Sequence, residues 1–256
     1  MADLTFISDL HLGRARQPVE GQFLALLAKL GERARAGPSQ RLYVLGDLFS
    51  FWAERPALMR RRAGRALDAL GGLVRAGCPV SILDGNRDFG YGRVIREAAG
   101  VEPLGERAVI EQSGRRALLI HGDELLTADR RYQLFKRAVR SRPARLAARW
   151  LPGPLVLGVV SCLERFSSRE NTIKPPSILE PDLAEAGRLM DAAKADVLVC
   201  GHTHRPGETK LTAAGDSRRL LVLGNWGAGG GVILEWPEGG EPRLVPWPPA
   251  LEGTPS

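Results

Sequence analysis

Histidine is scarce in this chain, with four residues in 256, and cysteine is scarcer still. The three cysteines, Cys78, Cys162 and Cys200, form an odd count without paired spacing. That argues against a disulfide framework and favours reduced thiols in a cytosolic compartment, used as small core residues. No apolar run reaches the roughly 18 to 20 residues that a membrane-spanning helix needs. Met1-Ala2-Asp3 leads at once into a short strand, unlike a secretory signal, so a cytoplasmic location is expected. Aromatic residues make up only 6% of the chain, and no recognised nucleic-acid-binding motif accompanies its basic stretch. This argues against nucleic acid as the partner of that stretch.

What is present suffices for a sizeable core. With 44% hydrophobic residues, 256 residues can bury one large domain or two small ones. The net charge of +7 is uneven: eight basic residues and no acidic one lie between Arg130 and Arg149, which leaves −1 for the remainder. The basicity is local, and so is whatever it binds.

Two of the four histidines close the stretch Val197-Leu198-Val199-Cys200-Gly201-His202-Thr203-His204. Apolar residues bounded by glycine read as a buried strand of an α/β sheet, and the carboxyl ends of such strands are where these sheets place their sites. Two imidazoles one residue apart suit two neighbouring metal ions better than one tetrahedral zinc with sequence-local ligands. Alone, His-Thr-His is as often a solvated or capped loop, so other strands must supply more ligands.

They do. Leu4–Ile7 ends in Ser8-Asp9-Leu10-His11, Arg41–Leu45 in Gly46-Asp47, Val80–Leu83 in Asp84-Gly85-Asn86-Arg87-Asp88, and Ala117–Ile120 in His121-Gly122-Asp123. Between them run helical patterns. Phe23, Leu26, Leu27 and Leu30 recur at helical spacing until Gly37-Pro38. A second helix runs from about Pro56 to Ala76, with Leu67, Leu70, Leu73 and Val74 on one face and arginines on a solvated opposite face. Leu183, Ala186, Leu189, Met190 and Ala193 mark an amphipathic helix before the last of these five strands. One histidine at a strand end would be ordinary, but all four sit there. Asp9, His11, Asp47, Asn86, His121, His202 and His204 make seven ligands, too many for one ion and suited to two with a bridging carboxylate. Oxygen donors mixed with imidazoles favour Mn²⁺ over a thiolate-type zinc site.

In this order and after strands, Asp-x-His, Gly-Asp, Gly-Asn-x-Asp, His-Gly-Asp and Gly-His-Thr-His resemble the calcineurin-like metallophosphoesterases, from Asp9 to His204. The resemblance implies an α/β (α+β) sandwich of two mixed β-sheets flanked by helices, with a dinuclear site at the strand ends. It also implies that Asp9, His11 and His204 hold one ion, that Asn86, His121 and His202 hold the other, and that Asp47 bridges them. Two divalent cations neutralise phosphate oxygens and supply hydroxide at neutral pH for in-line attack on phosphorus. Where many of these enzymes carry a histidine that protonates an alkoxide, this chain has Arg87. Arginine cannot donate a proton at pH 7 but clamps phosphate oxygens bidentately. The leaving group should then be one that needs no acid, such as a phosphate monoester with a pKa of roughly 6, which points to a diphosphate. Asp47, Asn86 and Arg87 are the expected catalytic residues.

The same arginine is found in a narrower family, the UDP-2,3-diacylglucosamine diphosphatases of lipid A synthesis. His121 to Asp129, Tyr132-Gln133, Ser167, Asn171 and Lys174 resemble that family's residues at the same spacing. The resemblance implies that Asn86, Arg87, Asp129, Tyr132, Ser167, Asn171, Lys174 and His202 touch a UDP-linked acylated sugar, cut to UMP and 2,3-diacylglucosamine 1-phosphate. Residues 129–174 are expected to form a helical lid within a single domain, 1–256. The lid's first part is cationic, and its second, Pro154 to Leu163, is almost wholly apolar. That strip is too short to span a membrane but suited to an acyl-chain groove or an anionic bilayer surface, which predicts a peripheral place on the cytoplasmic face of the inner membrane. The competing reading packs it on the main domain as a hydrophobic helix. Four features depart from the narrow family: Ser50 to Pro56 lack its acidic cluster, Leu126 replaces a cysteine, Pro175-Pro176 follow Lys174, and Asn225 stands where aspartate is typical. These leave another nucleotide diphosphate, or nucleic acid, as the alternative substrate. Arg219–Leu223 and Gly231–Trp236 are read as strands, with residues 224–230 as a plain β-connection between them. Residues 248–256 are expected to be a poorly ordered tail.

Overall fold

The computed structural model describes residues 2–13, 17–37, 39–86, 88, 90–127, 158, 180–213 and 216–249. Arg87, Asp129, Tyr132, Ser167, Asn171 and Lys174 lie outside the described residues, as do nearly all of the expected lid and most of the expected tail. Along the chain come β1 (Asp3–Ile7), α1 (Gln17–Ala36), β2 (Gln40–Val44), α2 (Pro56–Arg75), β3 (Val80–Leu83), α3 (Arg93–Ala99), β4 (Glu102–Gly105), β5 (Arg107–Gln112) and β6 (Arg115–Ile120). After these follow α4 (Leu183–Ala193), β7 (Val197–Cys200), β8 (Gly207–Ala213), β9 (Asp216–Val222), β10 (Gly231–Trp236) and β11 (Arg243–Trp247).

The strands form two sheets, β11-β10-β1-β2-β3-β4 and β5-β6-β7-β9-β8. Each is mixed. β1 to β4 are parallel, with β10 and β11 antiparallel at one edge. β6, β7 and β9 are parallel, with β5 and β8 antiparallel at the two edges. The two-residue period of a strand decides the layering. Leu4, Phe6, Tyr43 and Leu45 from the first sheet meet Ala117, Leu119, Val197 and Val199 from the second in an inner core. The alternate residues Ile7, Leu42, Val44, Val80 and Ile82 face α1, α2 and α3 in an outer core. On the far side Leu118, Ile120, Leu198, Cys200 and Leu220 pack under Ala186, Leu189 and Met190 of α4. Both faces of β7 are therefore apolar, which explains its unbroken run of Val, Leu and Cys.

The sandwich of two mixed sheets matches the expected fold class, and the details differ at the edges. Five strands were expected before residue 205, whereas β4 and β5 also form there. β8 and β11 were likewise missed. β5 alternates exposed Arg107, Val109 and Glu111 with partly buried residues, so its one-sided polarity hides the strand. β2 begins and ends one residue earlier than expected, β6 starts two residues earlier, and β9 spans Asp216–Val222. Cys78 and Cys200 are buried free thiols. Burial pushes the Cys78 thiol up to about 11 and the Cys200 thiol higher still, as suits small core residues. No helix among the described residues is long and apolar enough to cross a membrane.

Candidate metal centre

The parallel strands of both sheets bring their carboxyl ends together, and the loops that leave them are stitched by backbone hydrogen bonds. Leu45 N–H donates to Ile7 O (2.8 Å), Asp9 N–H to Gly46 O (3.3 Å) and His11 N–H to Asp47 O (3.0 Å), which extends the β1–β2 pairing past the strands. In the second sheet Gly201 N–H donates to His121 O (2.8 Å). Bonds also cross between the sheets, among them His202 N–H to the Asp9 Oδ2 carboxylate oxygen (2.8 Å) and His121 Nδ1 to Leu45 O (2.8 Å).

These turns are tight. Asp9, His11, Asp47, His202 and His204 all have φ between 50° and 69°, a left-handed conformation that non-glycine residues adopt at a cost. Strain of this kind persists where surrounding contacts over-determine it, as at ligand clamps. The glycines beside them answer to crowding. A Cβ on Gly85 would lie 2.2 Å from Asp47 Oδ1, and one on Gly201 would lie 2.3 Å from Ser8 Oγ.

Six carboxylate and imidazole side chains converge here. Asp9, His11 and His204 offer one group of ligand atoms lying within 4.8 Å of one another, and Asp9, His121 and His202 offer a second. Asp47 lies between the two groups, with Oδ2 3.6 Å from His11 Nδ1 and Oδ1 3.9 Å from His121 Nε2. Asn86 Oδ1 is 3.2 Å from His121 Nε2, and His202 Nδ1 is 3.1 Å from the same nitrogen. Asp9, expected on one ion only, thus reaches both groups.

The charges identify what this cluster lacks. Burial works against ionisation of Asp9, but the hydrogen bond from His204 and the imidazoles of His121, His204 and His11 outweigh it and hold the carboxyl below its ordinary range. Burial also pushes His121 down, and Asp47, Asp9 and Asp123 reverse the sign and raise it. For His202, burial and then the neighbouring His121 prevail and bring its pKa to about 3. With Nδ1 committed to the Leu45 carbonyl, His121 Nε2 faces an amide oxygen, a carboxylate and a second imidazole nitrogen. A nitrogen among acceptors needs a proton or a cation, and the carbonyl-oriented imidazole is the arrangement that metal-ligating histidines use. The donor set therefore fits divalent metal ions.

Asp88 and Asp123 are buried at the same place and were not singled out in the sequence. Asp88 Oδ2 accepts from Gly85 N–H (2.9 Å) and Asp47 N–H (3.2 Å), which pins the turn that carries Asp47. Burial, then the Asp47 charge, push Asp88 up to about 8. Its place as the last residue of Gly-Asn-x-Asp was the available signal.

Comparison with known proteins agrees with this geometry. The calcineurin-like phosphoesterase family matches residues 3–206, most of the chain. The chain belongs to that family. Over its length this phosphoesterase is 34% identical to a protein of Aeromonas hydrophila named UDP-2,3-diacylglucosamine hydrolase, across 93% of this chain and 96% of that one. A protein of the same name from Cellvibrio japonicus is 35% identical across 86% and 90%. Among solved structures, an archaeal phosphodiesterase covers 95% of this chain and 99% of its own, at 10% identity and a TM-score of 0.46. The phosphoesterase is accordingly a hydrolase whose fold implies divalent metal ions.

Proposed function

We propose that this phosphoesterase hydrolyses the diphosphate of UDP-2,3-diacylglucosamine to UMP and 2,3-diacylglucosamine 1-phosphate, a step of lipid A biosynthesis. The observation that carries the reading is similarity over nearly the whole of both chains to proteins named UDP-2,3-diacylglucosamine hydrolase. In this reading Asp9, His11 and His204 hold one ion, Asn86, His121 and His202 the other, and Asp47 lies between them. Two bound divalent ions, with Mn²⁺ the first choice for this donor set, would polarise the phosphoryl oxygens and supply a nucleophilic water at neutral pH.

The chain's own groups do the positioning. The Leu45 carbonyl holds His121 in one tautomer, with Nε2 turned to the centre. Asp9, clamped by the His202 N–H, keeps its ionised carboxylate between the two imidazole groups. Arg87 would clamp the diphosphate, with no proton to give and none needed by a phosphate leaving group. Asp129, Tyr132, Ser167, Asn171 and Lys174 would recognise the nucleotide and sugar, and residues 129–174 would form a lid whose cations and apolar strip meet the cytoplasmic face of the inner membrane. The unit would be one domain, 1–256, with 248–256 as a tail.

The test follows UMP release from UDP-diacylglucosamine with Mn²⁺ for wild type, Asp47→Ala and Arg87→Ala. Rapid release by wild type and loss in both variants is expected. A wild type that leaves this substrate intact yet opens simple diesters or DNA would overturn the lipid assignment. Full activity in Asp47→Ala would overturn the ligand assignment instead.

A further inference from the structure

The loops that leave β2 and β3 each bring a side chain to the centre, Asp47 on one and Asn86 on the other, and Arg87 follows Asn86 in the chain. The two loops are joined at successive points. Asp88 Oδ2 of the second loop accepts from Asp47 N–H of the first (3.2 Å). Further along, Trp52 makes a parallel β-bridge with Asp88 and sets its ring against Tyr91, with centroids 5.1 Å apart. Last comes Glu54, the only acidic residue in the stretch from Ser50 to Pro56.

Both oxygens of the Glu54 carboxylate are used. Oε1 accepts from Gly92 N–H (3.1 Å) and from Trp52 Nε1–H (3.2 Å), and Oε2 accepts from Val94 N–H (3.0 Å). Gly92 and Val94 open α3, and Gly92 brings no capping side chain of its own. A Cβ on Gly92 would stand 3.0 Å from Glu54 Oε2, so the bare glycine leaves room for the carboxylate. A helix is ordinarily capped by its own neighbouring residue. Here the acceptor stands 38 and 40 residues away from the groups it caps, so the cap also ties one loop to the other. Within the second loop Asp84 Oδ1 accepts from Tyr91 N–H (2.7 Å), which closes residues 84–91 on themselves. Glu54 thus holds a closed loop by its outgoing end.

We infer that Glu54 is a positioning residue: by tying the start of α3 to the loop of Asp47, it sets where Asn86 and Arg87 stand relative to the central carboxylate. Hydrogen bonds to a charged acceptor are roughly twice as strong as neutral ones, and loss of this carboxylate takes the acceptor from three N–H groups at once. A displacement of about 1 Å in groups aligned for reaction costs rate even when its origin is remote from the chemistry. The inference rests on the role proposed above for Arg87.

The experiment measures kcat and KM with Mn²⁺ for wild type, Glu54→Ala, Glu54→Gln, Arg87→Ala and the double variant Glu54→Ala with Arg87→Ala, below every melting midpoint. Each is assayed on UDP-diacylglucosamine and on the activated diester bis(4-nitrophenyl) phosphate. Glu54→Ala is expected to lower kcat about tenfold with KM within about twofold, the pattern of an interaction realised in the transition state. Glu54→Gln keeps an acceptor for Gly92 and Trp52 but turns a donor toward Val94 N–H, and should fall between. In the Arg87→Ala background the Glu54→Ala change should cost at most about threefold, because residues that act as a unit are not additive. The same tenfold loss in both backgrounds would overturn the inference, as would an unchanged kcat with only a lowered melting temperature, the mark of a cap that serves the fold alone. Amide exchange in Glu54→Ala should quicken over residues 84–94 and stay as in wild type over β7; unchanged protection at 84–94 would overturn the inference without any substrate. If wild type leaves UDP-diacylglucosamine intact yet opens the diester, the proposed function falls, and the diester series still decides the role of Glu54.

Discussion

Gly85 lacks a side chain because Asp47 occupies the space one would need. Its substitution by alanine would place a methyl carbon 2.2 Å from Asp47 Oδ1 and 2.3 Å from Asp47 N. Relief requires moving the turn that presents the central carboxylate. Gly85→Ala should therefore cost about 1 to 3 kcal/mol in chemical denaturation and lower Mn²⁺-dependent hydrolysis far more than that loss alone implies. Retained kcat would show that the turn has slack. Asp47→Ala makes the opposite change, opening space and removing charge. It should cost about a thousandfold in kcat, the equivalent of roughly 4 kcal/mol of transition-state stabilisation, measured by UMP release.

At the scale of elements, α4 shows how local chemistry anchors a layer. Asp182 caps its amino end, with Oδ1 accepting from Ala184 N–H (3.0 Å) and Glu185 N–H (3.1 Å), while Oδ2 accepts from Thr127 Oγ1 (2.6 Å). The hydrogen bond from Thr127, then that from Glu185, lower the Asp182 pKa below 3.8. A carboxylate depressed in the folded state stabilises it at every pH above the unfolded value, and that contribution fades as pH falls through the folded one. Asp182→Ala should thus cost about 1 kcal/mol at neutral pH, with the gap to wild type narrowing below pH 3.8 in urea titrations. Under this helix lies β7, where Leu198 is fully buried. Leu198→Ala should cost about 2 to 5 kcal/mol, read as a lower urea midpoint. The edge strands β5 and β8 were hard to read for the opposite reason: one face is wet, so Arg107, Glu111, Glu208 and Lys210 interrupt the apolar pattern.

The whole molecule ties the centre to stability, because ligands from both sheets meet across the sandwich. Cations that bind only the folded state must raise the melting temperature, by about 2.7 kcal/mol of stability at one hundred times the dissociation constant. Chelation followed by Mn²⁺ addition should show this shift by calorimetry, and Asp47→Ala should show much less of it. The residues that bear the chemistry were legible one by one. Four histidines and their neighbouring carboxylates each follow a short apolar run, and an apolar run followed by glycine and a ligand is a local pattern. The stretch from Leu4 to Ile7 likewise reads as a short strand from its apolar residues alone. Tertiary structure alone decided that Asp9 reaches both imidazole groups, that Asp88 pins the Asp47 turn, and that β9 lies parallel beside β7. Those depend on strand order and register between segments far apart in the chain, a pairing made by long-range backbone hydrogen bonds that leaves no local trace in either segment.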